Sequence, residues 1–239
     1  MYGTINGSVP AIDEKVWQQV RTRFITNVYG WMAGGLGVSA AAALLVLKSE
    51  YLMTTFIMNG AWFTGLIIAQ FGLVMGLSWA IGRISTATAS WLFVLYSALS
   101  GMTMSVVLLR YTSASVLQTL AVSSAVFAGA ALYGTFTRKD LTSWGSFLFM
   151  GLLGLVIATV VNIFTALAWL DWALTYLGVF IFTGLAAYDS QKIQRIGLEA
   201  SAYGEDSLSR ASIYGALALY LDFVNLFLFM LRLTGRSRD

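Results

Sequence analysis

Seven times along its 239 residues this sequence runs for about twenty residues or more with almost no charge, at 24–47, 60–81, 86–109, 115–136, 143–167, 172–190 and 211–231. A helix of about 20 apolar residues covers the hydrocarbon core of a bilayer. Inside lipid the backbone must satisfy its own polar groups, so the pattern predicts a bundle of membrane-spanning helices. Composition agrees, with 58% hydrophobic and 10% charged residues, against roughly 25% charged in ordinary soluble domains. The connections at 48–59, 82–85, 110–114, 137–142 and 168–171 are short. They force neighbouring helices antiparallel and leave no room for a second folded domain. The expectation is an all-α, polytopic seven-helix membrane domain over 24–233, with a tail at 1–23 and a short basic tail at 234–239. The first apolar run is too long for a signal-peptide core and is read as retained. Residues 191–210 form the one gap long enough to be a distinct loop, and Lys192, Arg195, Glu199, Glu205, Asp206 and Arg210 read as its solvated surface.

Basic residues set the orientation. A cytoplasmic N-terminus places Lys15, Arg21, Arg23, Arg83, Arg138, Lys139, Lys192, Arg195 and Arg210 inside, against Lys48 and Arg110 outside. Arg232, Arg236 and Arg238 break the pattern if the last segment crosses and restore it if that segment is re-entrant; seven crossings are expected. The formal charge of +3 thus reflects membrane orientation, with no basic domain to grip nucleic acid.

Absent residue types exclude chemistry. Without Cys there is no disulfide, thiolate nucleophile, zinc–thiolate site or iron–sulfur cluster. Without His there is no imidazole ligand and no Ser–His base pair, so proton chemistry falls to carboxylates. Trp62, Trp79, Trp91, Trp144, Trp169 and Trp172 lie near segment ends and read as an interfacial belt. Gly30 with Gly34, and Gly72 with Gly76, have the GxxxG spacing and are read as helix-packing contacts. Pro10 is the only proline and lies outside the segments, so nothing signals the broken helix pair of many secondary transporters. Gln70 and Asn162 are read as interhelical hydrogen-bonding residues.

Two acids remain inside the apolar segments, Asp189 and Asp222. Counted from Ala211, Asp222 lies roughly 16 Å along a helix of about 31 Å, near the bilayer midplane. A carboxylate there costs roughly 2.5–3.5 kcal/mol on insertion scales, so it should face the bundle interior and meet a partner or a pathway. Asn225 shares its face. A structural alternative satisfies Asp222 with Tyr or Ser hydroxyls and pairs Asp189 with Lys192 at the water boundary. The sharper reading brings the two acids together across antiparallel helices, where they share a proton and titrate as a pair. The same pair could hold calcium only weakly and in transit, since that ion takes 6–8 oxygens.

The segments GLAAYDSQKI at 184–193 and GALALYLDFVNLF at 215–227 resemble the Bax inhibitor-1 family, bacterial inner-membrane branch. So do VYGWMAGGLGVSA at 28–40, LFVLYSALSGMTMS at 92–105 and MGLLGLVIATVVNIF at 150–164. The resemblance implies a seven-helix fold with the last helix central and a pH-sensitive calcium leak across the inner membrane. It implies that Asp189 and Asp222 are the family's gating pair. No cofactor is called for, and calcium enters as the permeant ion. Some members carry an arginine latch at the position of Ala80; here the nearest candidate is Arg83, about one turn away, which also suits an interfacial anchor. The resemblance suggests a second function as well, an interaction protein modulating a membrane-bound protease or other quality-control machinery through 1–23. A retinal protein is excluded because no lysine lies inside the bundle, and an intramembrane aspartyl protease because neither Asp motif is GxGD; no enzyme activity is expected.

Overall fold

The computed structural model describes residues 14–238, with side chains from Trp17. The elements are α1 (Glu14–Lys48), α2 (Glu50–Leu52), a π-helical turn (Met53–Ile57), α3 (Gly60–Ala80), α4 (Thr86–Arg110), α5 (Ser113–Phe136), α6 (Thr142–Thr165), α7 (Ala168–Ser201) and α8 (Glu205–Thr234). The one β-bridge among the described residues joins Tyr111 to Ser237. Seven helices, all but α2, are long and apolar enough to span a membrane. Local chemistry starts several of them: Asn59 Oδ1 accepts from the N–H of Ala61, Ser85 Oγ from Thr88, and Thr112 Oγ1 from Ser115. Each satisfies a donor that the first helical turn leaves without a partner. The reversal from α7 to α8 runs through Gly204 at φ +90, a backbone that L side chains rarely adopt.

Two expected boundaries move. Residues 14–23 belong to α1 and not to a tail, while 1–13 lie outside the described residues. The expected loop at 191–210 is helix on both sides of a turn at 202–204, because α7 continues unbroken to Ser201. Its polar residues are not merely solvated. Gln191 Oε1 accepts the Leu141 N–H at 2.9 Å, Arg195 bridges Asp140 at 2.5 Å, and Arg210 donates to the Ile84 carbonyl at 3.1 Å.

The last helix is the axis of the bundle. α8 packs against α1, α4, α5 and α7, and residues on all its sides are buried, among them Ile213, Leu219, Tyr220, Asp222, Leu226 and Leu231. Buried residues make up 61% of its apolar span, against 6% for α3 and 11% for α6, which are outriders on α4 and α7. One end of α8 is tied to the turns at 81–85 and, through Arg23 and Glu205, to α1. The other end reaches Asp171 through Arg232 (3.4 Å) and the α4–α5 turn, where Thr112 N–H donates to the Arg236 carbonyl and Arg238 N–H to that of Arg110. The last segment therefore crosses the whole bundle, and residues 235–238 form a strap across its end rather than a free tail.

Close helix contacts are made by glycines other than the two GxxxG pairs. Gly101 lies on the backbone of Ser39 and Gly134 on that of Ala187, so a Cβ at either would clash with a main chain. Gly30, Gly34, Gly72 and Gly76 are exposed, with nothing within 4 Å of a Cβ placed there. The expectation that these two pairs pack helices within the chain is thus corrected. The six tryptophans face outward at helix ends, as an interfacial belt requires.

Candidate functional site: an acidic cleft between α3 and α6

α3 packs on α4 and α6 on α7, and no packed interface joins α3 to α6. The space between them is a cleft of about 1000 Å³ whose floor is α8, flanked by α7 and α4. It extends from Gly145 to Val160 along α6, roughly 22 Å of helix. Its walls are mostly apolar, with Phe71, Val74, Phe149 and Val156 among them, and its charged groups all lie on α7 and α8.

Asp189 on α7 and Asp222 on α8 both line this cleft. Their carboxyl groups are close neighbours at the α7–α8 contact. Antiparallel packing of α7 and α8 across the tight turn at 202–204 brings them together. Asp222 is 5% exposed, and its Oδ2 has no hydrogen-bond partner. The Tyr220 hydroxyl does not serve it: on another side of α8, Tyr220 has its Oη 2.7 Å from Ser39 Oγ. Lys192 Nζ stands 3.9 Å from Asp189 Oδ1 and 5.6 Å from the Tyr188 ring centre. The boundary ion pair and the carboxyl pair thus coexist, forming a row of Lys192, Asp189 and Asp222 that deepens into the bundle.

Asn225 also lines the cleft, its Nδ2 donating to the Leu221 carbonyl at 2.8 Å. Gln70 makes the interhelical hydrogen bond expected of it, with Nε2 3.4 Å from Thr103 Oγ1 on α4, and it lines the cleft as well. A lone amide in the middle of an apolar helix was its signal. Asn162 makes no such interhelical bond; its Oδ1 accepts the Leu167 N–H and closes the α6–α7 turn. Arg83 is not brought to the acids. It is exposed, it is not part of the cleft lining, and its guanidinium sits 5.3 Å from the Trp79 ring centre. Trp79 is itself 77% exposed, so Arg83 occupies the position of an interfacial anchor and not of a latch. Sequence reasoning missed Tyr96 and Tyr214, which also line the cleft. Ordinary aromatic residues in apolar runs gave it no signal.

A bundle of six apolar helices around a central seventh, with two neighbouring acids at the floor of a cleft, defines a polytopic membrane protein with an ionisable centre. The chain belongs to the Bax inhibitor-1 family: the family model described as inhibitor of apoptosis-promoting Bax1 matches residues 21–239. It is 43% identical to the inner membrane protein YbhL of Escherichia coli, over 90% of this chain and 92% of that one. It is 42% identical to an uncharacterized protein of Deinococcus radiodurans, over 95% of each chain. A protein of Borreliella burgdorferi, also uncharacterized, is 40% identical over 92% of this chain and 94% of its own. The chain is a multi-pass inner-membrane protein.

Proposed function

We propose that the protein is a proton-controlled leak for cations, calcium first among them, across the bacterial inner membrane, with its N-terminus in the cytoplasm. One observation carries the reading: the carboxyl groups of Asp189 and Asp222 are close neighbours on the floor of an intramembrane cleft, one of them with an unpartnered oxygen. Two carboxylates in a medium of low dielectric constant repel strongly, so the pair holds one proton between them and responds to pH without histidine. Losing that proton adds a negative charge at the cleft floor, which draws in a cation and alters the packing of α7 on α8. Two carboxylates with the Asn225 amide and water bind calcium weakly, as passage requires. The excess of Lys and Arg at the end that carries the α3–α4 and α5–α6 turns supports the orientation.

The test is calcium flux into dye-loaded liposomes holding the purified protein, across a range of pH, for wild type, Asp189→Asn and Asp222→Asn. Wild-type flux should vary with pH, and both variants should lose that variation. Flux no greater than that of empty liposomes at every pH would overturn the leak and turn attention to protein partners.

A further inference from the structure

The cleft is open sideways as well as lined with acids. Phe71 on α3 and Phe149 and Val156 on α6 line it while remaining 68%, 58% and 53% exposed, so its walls continue onto the lipid-facing surface. A hydrated ion cannot pass through hydrocarbon to such an opening, but an amphiphile can. The charges inside do not balance. Around the pair, α7 supplies Asp189 and Lys192 and α8 supplies Asp222, while α3, α4 and α6 bring only uncharged groups, Gln70, Tyr96, Thr103 and Thr159 among them. With both acids ionised, Lys192 offsets Asp189, its neighbour at 3.9 Å, and Asp222 keeps one uncompensated charge. A cleft of about 1000 Å³ stands at the upper end of the size range for drug-sized ligands.

We propose that this cleft binds a lipophilic monocation, an alkylammonium that enters from the bilayer between α3 and α6 and sets its charge against Asp222. The alkyl chain lies along the apolar walls and the ammonium replaces the proton of the acid pair, so each cation bound to the singly protonated pair releases one proton. The inference rests on the leak reading only in treating the pair as ionisable; it requires no flux.

The experiment uses the full-length protein in phosphatidylcholine vesicles at pH 8. A dodecylammonium with a diazirine at the chain end is photolysed there, and labelled residues are located by mass spectrometry. Dodecanol carrying the same diazirine is the uncharged control. The ammonium should label the α3 and α6 walls at least tenfold more than the alcohol does, and excess dodecyltrimethylammonium should remove the label. Asp222→Asn should abolish the preference, and Val156→Trp, which fills the cleft from a lipid-facing position, should abolish labelling by both probes. Circular dichroism confirms that each variant is folded, and the Val156 variant keeps the acid pair should Asp222→Asn fail to fold. Equal labelling by the two probes, labelling outside the cleft alone, or a preference that survives in folded Asp222→Asn overturns the inference. A leak with pH-dependent flux and no ammonium preference would sink this proposal alone; ammonium preference without flux would sink the leak alone.

Discussion

Gly134 and Gly72 look alike in the sequence, each a glycine within an apolar helix, and the structure gives them opposite roles. A Cβ at Gly134 would fall on the carbonyl of Ala187, main chain to main chain between α5 and α7, with no flexible side chain to yield. In Gly134→Ala the two helices must part by ~1 Å, an overpacking strain of typically about 1–3 kcal/mol. Alanine returns up to ~1 kcal/mol through its better helix propensity, leaving a net loss of about 1 kcal/mol at the middle of the strain range. For a chain of this size that lowers Tm by about 2–4 °C. Gly72→Ala meets nothing within 4 Å, so it takes the propensity gain without strain and should hold or raise Tm. The assay is thermal unfolding in one detergent, followed by tryptophan fluorescence, with both variants and wild type side by side. A loss in Gly72→Ala as large as that in Gly134→Ala would refute the assignment of the packing glycines. Because Ala187 lies two residues from Asp189, Gly134→Ala should also alter the pH profile of any flux.

The hydrogen bond between Ser39 and Tyr220 links α1 to the axial helix within an apolar setting, 2.7 Å from oxygen to oxygen. Ser39→Ala and Tyr220→Phe should each cost about 1 kcal/mol, with the double variant less than additive in a mutant cycle on unfolding. At the basic end, hydrogen bonds from Thr142 and Arg195 hold the Asp140 carboxyl well below the usual carboxylate range. A folded-state value below the unfolded one adds stability that is fully present above the unfolded pKa, about 4, and is lost as pH falls toward the folded value. The stability gap between wild type and Asp140→Asn should therefore be flat near neutrality and close in acid, which unfolding curves from pH 7 to pH 3 will show; a gap that widened in acid would reverse the assignment.

The membrane spans and the inward turn of Asp222 were legible because each follows from cost, whereas the central last helix was legible only through the family resemblance of the Asp-bearing segments. Twenty apolar residues have one use in a chain this uncharged, and an acid at the midplane must turn inward. What stayed hidden depends on which apolar face meets protein and which meets lipid. Lipid tails are as apolar as leucine, so the spacing of Gly72 and Gly76 says nothing about the side they face. The same ambiguity concealed the gap between α3 and α6. Residues 191–210 misled for another reason: charges that end a membrane span need not end a helix, and the extension of α7 is held by side-chain bonds to Leu141, Asp140 and Thr142. Arg83 was a question of register, and one turn of helix decided between the acids and the headgroups.

The axial position of α8 bears on how the bundle is made. Chains enter the membrane from the N-terminus, and α8 follows the other six spans. Until it arrives, those six have no centre, and Tyr96, Phe127 and Phe182, buried in the finished molecule, have lipid or one another for company. α8 also brings Asp222, the residue least welcome in lipid, so its insertion becomes favourable only as the others close around it. The order of synthesis and the placement of Asp222 thus make the acid-bearing helix the last to gain from the closed bundle.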